Sequence, residues 1–394
     1  MGVVLLVIGI LLFISLVVIH EYGHFIAARR GGVDVEEFGI GFPPRAWKKR
    51  VKSKKGDYDF TINWLPLGGF VKLKGESDSA TEPGSFGAAP LGTKVKVMVA
   101  GVIMNLLAAF VLFTLVAWAG MPRLPEFAIP NQFTVAADER VVSEPRNQDM
   151  VLVARVVEGS PADEVGIAEE DEIVAMNDTE INNPFDVIEI TEENAGNEVA
   201  ITIRPAESDD KQELVVTLNE EITEEQGYLG VAPFSGQEGF KVVRYTWSAP
   251  IVAAGTIGQF TQLTFVGLGD ALAGFGQYLA SFATGDEVAR EQGQTQATEQ
   301  VTGPVGIFAT LAAVSQEGFS LMLFIVALIS LALAIMNILP IPALDGGRLF
   351  VTLVFRAIKK PLSKSLEEKI HGTGFLLLMV LFVLITIVDI RRFF

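Results

Sequence analysis

No cysteine occurs among the 394 residues, which removes disulfides, thiol nucleophiles and thiolate metal ligands together. The absence does not identify a compartment. Histidine is nearly as scarce, with three residues in the whole chain. Basic residues number 30 against 47 acidic ones, for a net charge of −17, and no basic patch with interleaved aromatics suggests a nucleic-acid partner. No internal repeat is found. The apolar N-terminal stretch lacks a basic leading region and a small-residue cleavage site and ends in Arg29 and Arg30, so it reads as a retained helix rather than a signal peptide.

What is abundant is apolar sequence. Half of the residues are hydrophobic and the mean hydropathy is +0.41, too high for an ordinary soluble enzyme. Four stretches read as membrane spans: Val3 to Ala28, Val95 to Gly120, Phe319 to Ile341 and Phe375 to Ile390, the last short for an untilted helix. Arg and Lys concentrate between the first two spans, including the run KKRVKSKK, and again after the third at Arg356, Lys359, Lys360 and Lys364. Positive-inside bias makes both segments cytoplasmic, beside anionic lipid, and puts the N-terminus and the acid-rich region Met121 to Gly318 outside. Arg391 and Arg392 are a minor violation.

In the first basic loop, Asp59, Thr61 and Asn63 alternate with Phe60, Ile62 and Trp64, and Pro66 to Gly69 forms a turn before Phe70 to Leu73. The pattern predicts a β-hairpin over 58–76, apolar enough to dip toward the membrane if other protein buries it. Between Met150 and Phe234 the runs VLVARVV, EIVAMN, VAITIRP, ELVVTL and YLGVAP alternate with turns and one helical piece, Pro184 to Glu193. That suits a compact mixed domain of about 85 residues. Tyr245 to Ala283 is Gly-spaced, helix-like and nearly free of charge, and is expected to lie along the membrane surface; Asp286 to Gln300 reads as a loop.

Chemistry concentrates in HEYGH. On a helix, His20 and His24 stand about 40° apart on one face, so both imidazoles can reach one ion, while Glu21 cannot comfortably join them. This is the arrangement of a zinc hydrolase, with Glu21 taking a proton from water. Such matches occur by chance on soluble surfaces, but here the three groups sit inside an apolar span, where unpaired charge is costly. A catalytic site needs a third ligand. His371, in a basic amphipathic stretch, is one candidate; Asp345 in MNILPIPALDGGRLF is another, although that carboxylate also reads as the N-cap of a following helix. Depth favours Asp345. The first and third spans both run inward, and each reaches its polar group near its inner end, completing a His₂Asp shell.

HEYGH in the first helix, LGGF in the hairpin and NILPIPALDGG in a later helix resemble, in order, the motifs of the site-2 protease family of intramembrane zinc metalloproteases. A single extracytoplasmic β-rich domain between the second and third spans is similar to the bacterial branch that cleaves anti-sigma factors. The resemblance implies that His20, His24 and Asp345 bind Zn²⁺ and that Glu21 is the general base. It further implies that Asn337 and Pro342 shape the cleft and that Asn105, in AGVIMN, lies near it, though Asn105 reads equally as an interhelical hydrogen-bonding residue. Gly68, Gly69 and Phe70 would belong to a re-entrant β-loop that aligns an unwound substrate as an added strand. EGSPADEVGIAEEDEIVAMND resembles a PDZ domain, with EED at Glu169 to Asp171 in place of the usual PGD; Tyr228, Leu229, Gly230 and Val231 resemble its carboxylate-binding loop or form an ordinary strand end. TGPVGI at Thr302 to Ile307 matches a family segment and has no independent chemical reading.

The expected fold is a multi-span α-helical membrane protein with four transmembrane helices, a membrane-associated β-hairpin and an inserted extracytoplasmic α+β PDZ-like domain. Its order is helix 1 over 1–28, a cytoplasmic loop over 29–94, helix 2 over 95–120, and an outer segment over 121–236 with the PDZ-like domain at about 150–236. Amphipathic helices and a loop then fill 237–318, followed by helix 3 over 319–358, a cytoplasmic connector over 359–373 and helix 4 over 374–391. The resemblance implies a multi-pass protein of the bacterial cytoplasmic (inner) membrane. It would hydrolyse a bond within or next to the span of a single-span protein already shortened on its outer side. Anti-sigma factors of an envelope stress response, and remnant signal peptides, are the implied substrates, with the outer domain acting as size filter or docking platform. Two other classes remain open: a non-catalytic zinc-stabilised PDZ adaptor, which the spare carboxylate of Glu21 disfavours, and a proton or ion translocator, which normally has more spans.

Overall fold

A computed structural model describes residues 2–124, 131–143, 150–157, 159–206, 208, 210–220, 227–235, 241–284, 290, 292 and 303–393. They form two compact units, Met1–Arg140 with Val243–Phe394, and Val141–Val242.

The first unit begins with α1 (Gly2–Arg30), rich in Val, Ile and Leu that would favour strand in water. In lipid the backbone must satisfy itself, which selects helix. Its buried residues, Leu5, Gly9, Leu16, His20, Gly23, His24 and Ala28, keep to one face of the helix, so both histidines lie on the inward face. Next come β1 (Val35–Val51), β2 (Tyr58–Leu73), the central helix α2 (Leu91–Ala119) and short β3 (Met121–Arg123). The chain leaves this unit through β4 (Arg140–Ser143).

The second unit, described by itself, holds β5 (Val151–Val156), α3 (Pro161–Glu164), β6 (Glu172–Met176), β7 (Thr179–Glu180), α4 (Pro184–Glu193), β8 (Glu198–Arg204), β9 (Gln212–Thr217) and β10 (Val231–Ser235). Its sheet runs β10-β5-β6-β8-β9, with β7 beside β6. Inward residues of alternating strands, among them Val151, Val153, Ile173, Val199, Ile201 and Ile203, make its core. Asn183 and Asp186 form a reciprocal capping box that starts α4, with Pro184 in the first turn.

Through β11 (Lys241–Arg244) the chain returns to α5 (Ala249–Thr284), α6 (Pro304–Glu317), α7 (Phe319–Ile338), α8 (Asp345–Ala357) and α9 (Lys364–Phe393). Helix α2 touches α1, α5, α7 and α8, so the other helices collect around it. Asp138 starts α5 from outside the helix, accepting from the N–H and hydroxyl groups of Thr246 and Ser248.

Three expectations about the helices change. Among the described residues five helices, not four, are long and apolar enough to cross a membrane; the addition is Ala249–Tyr278, read from sequence as a surface helix. Gly, Gln and Thr dilute its hydropathy, yet Asp270 is its single charge. The segment over 319–358 is two helices, because Pro340 and Pro342 cannot continue α7. The last helix starts at Lys364, so His371 lies within it rather than in a connector. The loop expected over 286–300 lies outside the described residues except at Arg290 and Gln292.

The hairpin over 58–76 also pairs differently. Its halves do not face each other, because β1 enters between them: Glu37 to Ile40 face Lys72 to Gly69 on one side and Asp59 to Ile62 on the other. The second half of β1 then covers the far side, with Arg45 opposite Asn63 and Val51 opposite Tyr58. Gly39, Gly41, Pro43 and Pro44 hide β1 in the sequence, since they are poor strand formers. The bend of β2 at Gly68, where φ is +88°, sits near Val17 of α1, and Gly69 lies near Val18.

Candidate active site

Helix α1 presents His20 and His24 to α2 and α8. His20 Nε2 lies 3.0 Å from Asp345 Oδ2, His24 Nε2 lies 3.0 Å from the same oxygen, and the two Nε2 atoms are 3.1 Å apart. Asp345 reaches them because Leu339 to Leu344 turn sharply between α7 and α8. Gly346 and Gly347 permit the turn: an added Cβ would fall 2.2 Å from the Ile338 carbonyl oxygen and 2.0 Å from that of Ile341. The N-cap alternative for Asp345 fails, since Leu344 occupies that position and Asp345 opens the first turn.

The protonation pattern shows why a cation fits here. Nδ1 of His24 lies 2.7 Å from the Val97 carbonyl oxygen, which only accepts, so Nδ1 carries the proton and Nε2 offers a lone pair. Nδ1 of His20 faces the Asn105 amide at 3.3 Å, and Asn105 Oδ1 is buried without a hydrogen-bond partner. Turning the amide end for end lets that oxygen accept from Nδ1 of His20, leaving its Nε2 as a second lone pair. Two imidazole lone pairs and a carboxylate oxygen then converge on one point, an arrangement that repels itself unless a proton or a metal cation lies between. Tetrahedral zinc with ligands about 2.0–2.1 Å away separates them by about 3.3 Å, close to what is seen. His20, His24 and Asp345 thus have the donor types and spacing of a metal site.

Glu21 points elsewhere. Its carboxylate faces the backbone N–H of Val71 on β2, and its Cγ is 3.6 Å from where a Cβ on Gly69 would stand. Together with His24, Asp345, Leu73, Glu76 and Arg348 it lines a cavity of about 120 Å³, room for several waters. A larger cleft of about 1130 Å³, walled by Lys72, Glu76, Leu344, Glu367 and His371 among others, leads to Asp345. His371 stands at its edge, 3.4 Å from the Ala343 amide, and does not join the cluster.

Asn105 is therefore at the site, held in place as Ser330 of α7 donates to its carbonyl at 2.8 Å. Gly68 and Gly69 form the bend beside α1, and Phe70 lays its ring across Gly39. Asn337 does not reach the cluster; its amide donates to the Leu333 carbonyl one turn back in α7. Pro342 packs against Gly374 of α9. In the second unit, Tyr228 to Val231 and the α4 residues Val187, Ile188, Thr191 and Glu192 line a groove of about 190 Å³. Gly101, one turn before Asn105 on the same face of α2, escaped the sequence reading. A Cβ there would fall 2.5 Å from His24 Nε2 and 2.7 Å from His20 Nε2. Its spacing of four from Asn105 was the available signal.

The model of Peptidase family M50 matches residues 8–381. A Clostridium perfringens protein provisionally named a zinc metalloprotease is 29% identical over 385 residues, covering 98% of each chain. The zinc metalloprotease RasP of Geobacillus kaustophilus is 25% identical, covering 98% of this chain and 97% of its own. An Enterococcus faecalis protein named a probable protease, eep, is also 25% identical, covering 98% of each. With the match running through α1, α2, α7 and α8, the chain belongs to Peptidase family M50, the site-2 proteases, and is a metalloprotease.

Proposed function

We propose that the protein is an intramembrane zinc metalloprotease that hydrolyses a peptide bond within or next to the span of single-span membrane proteins. The observation that carries this reading is the convergence of His20, His24 and Asp345 beside Glu21, next to an edge of β2 that no strand among the described residues pairs. His20, His24 and Asp345 would hold the ion. Zinc supplies Lewis acidity there, polarising a carbonyl and making water acidic. Glu21 accepts the proton from water and returns it to the leaving amine. Asn105 and the Val97 carbonyl orient the imidazoles, which keeps both Nε2 atoms aimed inward. The Gly69–Leu73 edge holds the substrate backbone after it unwinds, since strand pairing asks little of side chains. Water arrives through the large cleft, whose walls include Lys72, Glu76, Glu367 and His371.

The groove beside Tyr228 supports a PDZ-like role for the second unit, as a docking platform or filter that admits proteins already shortened on their outer side. Anti-sigma factors and remnant signal peptides fit that substrate class. The basic segments support a cytoplasmic location for the loop over 29–94 and the connector over 359–373 in a bacterial inner membrane, with the N-terminus and second unit outside.

Glu21→Gln tests the reading in purified full-length protein reconstituted with single-span substrates. Metal content should match the parent while cleavage is lost, and a chelator should abolish the parent's cleavage until zinc is restored. Cleavage by Glu21→Gln at the parent's rate would sink the protease mechanism, and unchanged partner binding with no cleavage by the parent would favour an adaptor.

A further inference from the structure

The edge strand that would receive a substrate is already occupied by this chain. In a strand, neighbouring residues turn their backbone groups to opposite edges. The Lys74 N–H donates to the Asp34 carbonyl just before β1, so by alternation Lys72 and Phe70 turn their backbone groups to β1 and Leu73 and Val71 turn theirs outward. Glu21 meets Val71 there, and Glu76 Oε1 accepts the Leu73 N–H at 2.9 Å. Glu21 has a chemical task in the proposed reaction; Glu76 has none.

Glu76 sits three residues beyond Leu73, where the turn folds its side chain back on the strand. Arg348 holds that turn. It donates through Nη2 to the Glu76 backbone carbonyl, and its Nη1 lies 3.9 Å from Glu76 Oε2. The guanidinium also sits 5.0 Å over the Phe86 ring. Arg348 lies one turn after Asp345 on α8, so the contact couples the strand edge to the helix that carries the third metal ligand. The Glu76 side chain is 42% exposed and opens on the cleft. It can therefore leave Leu73 for water or Arg348 at little cost.

We propose that Glu76 is a built-in competitor for the substrate strand, its carboxylate standing in on Leu73 for a substrate carbonyl and swinging off when a peptide pairs there. The contact blunts an apolar strand edge that would otherwise recruit any extended chain. It also sets a threshold: only segments that pair along the whole edge displace it. This inference rests on the protease reading.

The test uses the full chain in lipid nanodiscs and a synthetic single-span peptide with a fluorophore and quencher flanking its apolar segment. Glu76→Ala frees the Leu73 amide and lowers KM about three- to tenfold, the range spanned by one hydrogen bond of this kind, while kcat changes less. Glu76→Gln keeps an accepting oxygen and stays near the parent KM. Hydrogen exchange at Leu73 without peptide speeds up in Glu76→Ala and not in Glu76→Gln. Should Glu76→Ala not fold, Arg348→Lys keeps the charge but loses the fork on Glu76, and KM moves the same way by less. An unchanged or raised KM in Glu76→Ala, or in Arg348→Lys if that variant is needed, overturns the proposal while the protease reading stands. No cleavage by the parent above Glu21→Gln overturns both.

Discussion

A methyl group added at Gly101 should separate metal binding from folding. In Gly101→Ala the new Cβ would stand 2.5 Å from His24 Nε2, 2.6 Å from His20 Cε1 and 2.7 Å from His20 Nε2. Ordinary contact begins near 3.4 Å, so the rings must retreat by about 0.7 to 0.9 Å. Neither is free to do so, because the Val97 carbonyl holds one and Asn105 the other. A misplacement of about 1 Å costs about 10²-fold in rate, and losing an outer partner of a ligating histidine costs about 10- to 100-fold in metal affinity. The helix itself gains, since Ala is favoured over Gly in a helix interior by about 0.8–1 kcal/mol. The expected outcome is a loss of zinc affinity and cleavage of about 10²-fold, with metal-free stability within about 2 kcal/mol of the parent's, since the helix gain offsets part of an overpacking cost of about 1–3 kcal/mol. Chelator-competition titration, thermal unfolding without metal and a cleavage assay read the three quantities on one preparation. A Gly101→Ala protein that binds zinc and cleaves within twofold of the parent would refute the convergence of the two imidazoles against α2.

Asp389 of α9 accepts from the N–H groups of Gly303 and Gly306, capping α6 from a different helix. Asp389→Ala strands two buried donors at about 1–3 kcal/mol each, so the full chain should unfold several degrees lower while retaining its zinc; an unchanged unfolding temperature would remove the cap from the stability account. Asp138 is held below the usual carboxylate range, first by the Thr246 hydroxyl, with the Ser248 N–H and hydroxyl adding to it against the cost of burial. A depressed folded value means its stabilisation is complete above the unfolded value of about 3.9 and fades as pH falls toward the folded one. Thermal stability measured from pH 5 downward should therefore drop in the parent, and Asp138→Asn should be less stable at pH 5 with a flatter profile; parallel profiles would count against the hydrogen-bond geometry around Thr246.

Two residues show where sequence reading stops. His20 and His24 were legible because their spacing is local: four residues on a helix fix one face whatever surrounds it. TGPVGI gave no chemical reading, since its meaning lies 83 residues away at Asp389; a side chain on Gly303 would fall 2.7 Å from that carboxylate. The same holds for β1, whose Gly and Pro residues conceal a strand that forms only because both halves of β2 flank it. Helix α5 has the length and composition of a span, yet hydropathy averages over all faces, and dispersed Gly and Thr look amphipathic in a helix with one charge.

By itself the chain determined the family, the two imidazoles and carboxylate available to a metal, the Glu21 carboxylate beside them and the apolar segments around them, because each is written in short-range spacing and composition. Only the tertiary structure decided how closely Asp345 meets the imidazoles, that Gly101 leaves them room, and that the Glu76 side chain folds back onto Leu73 near Glu21. The first depends on a contact across 325 residues and the second on the packing of α2 against α1, where small differences in approach decide which groups meet.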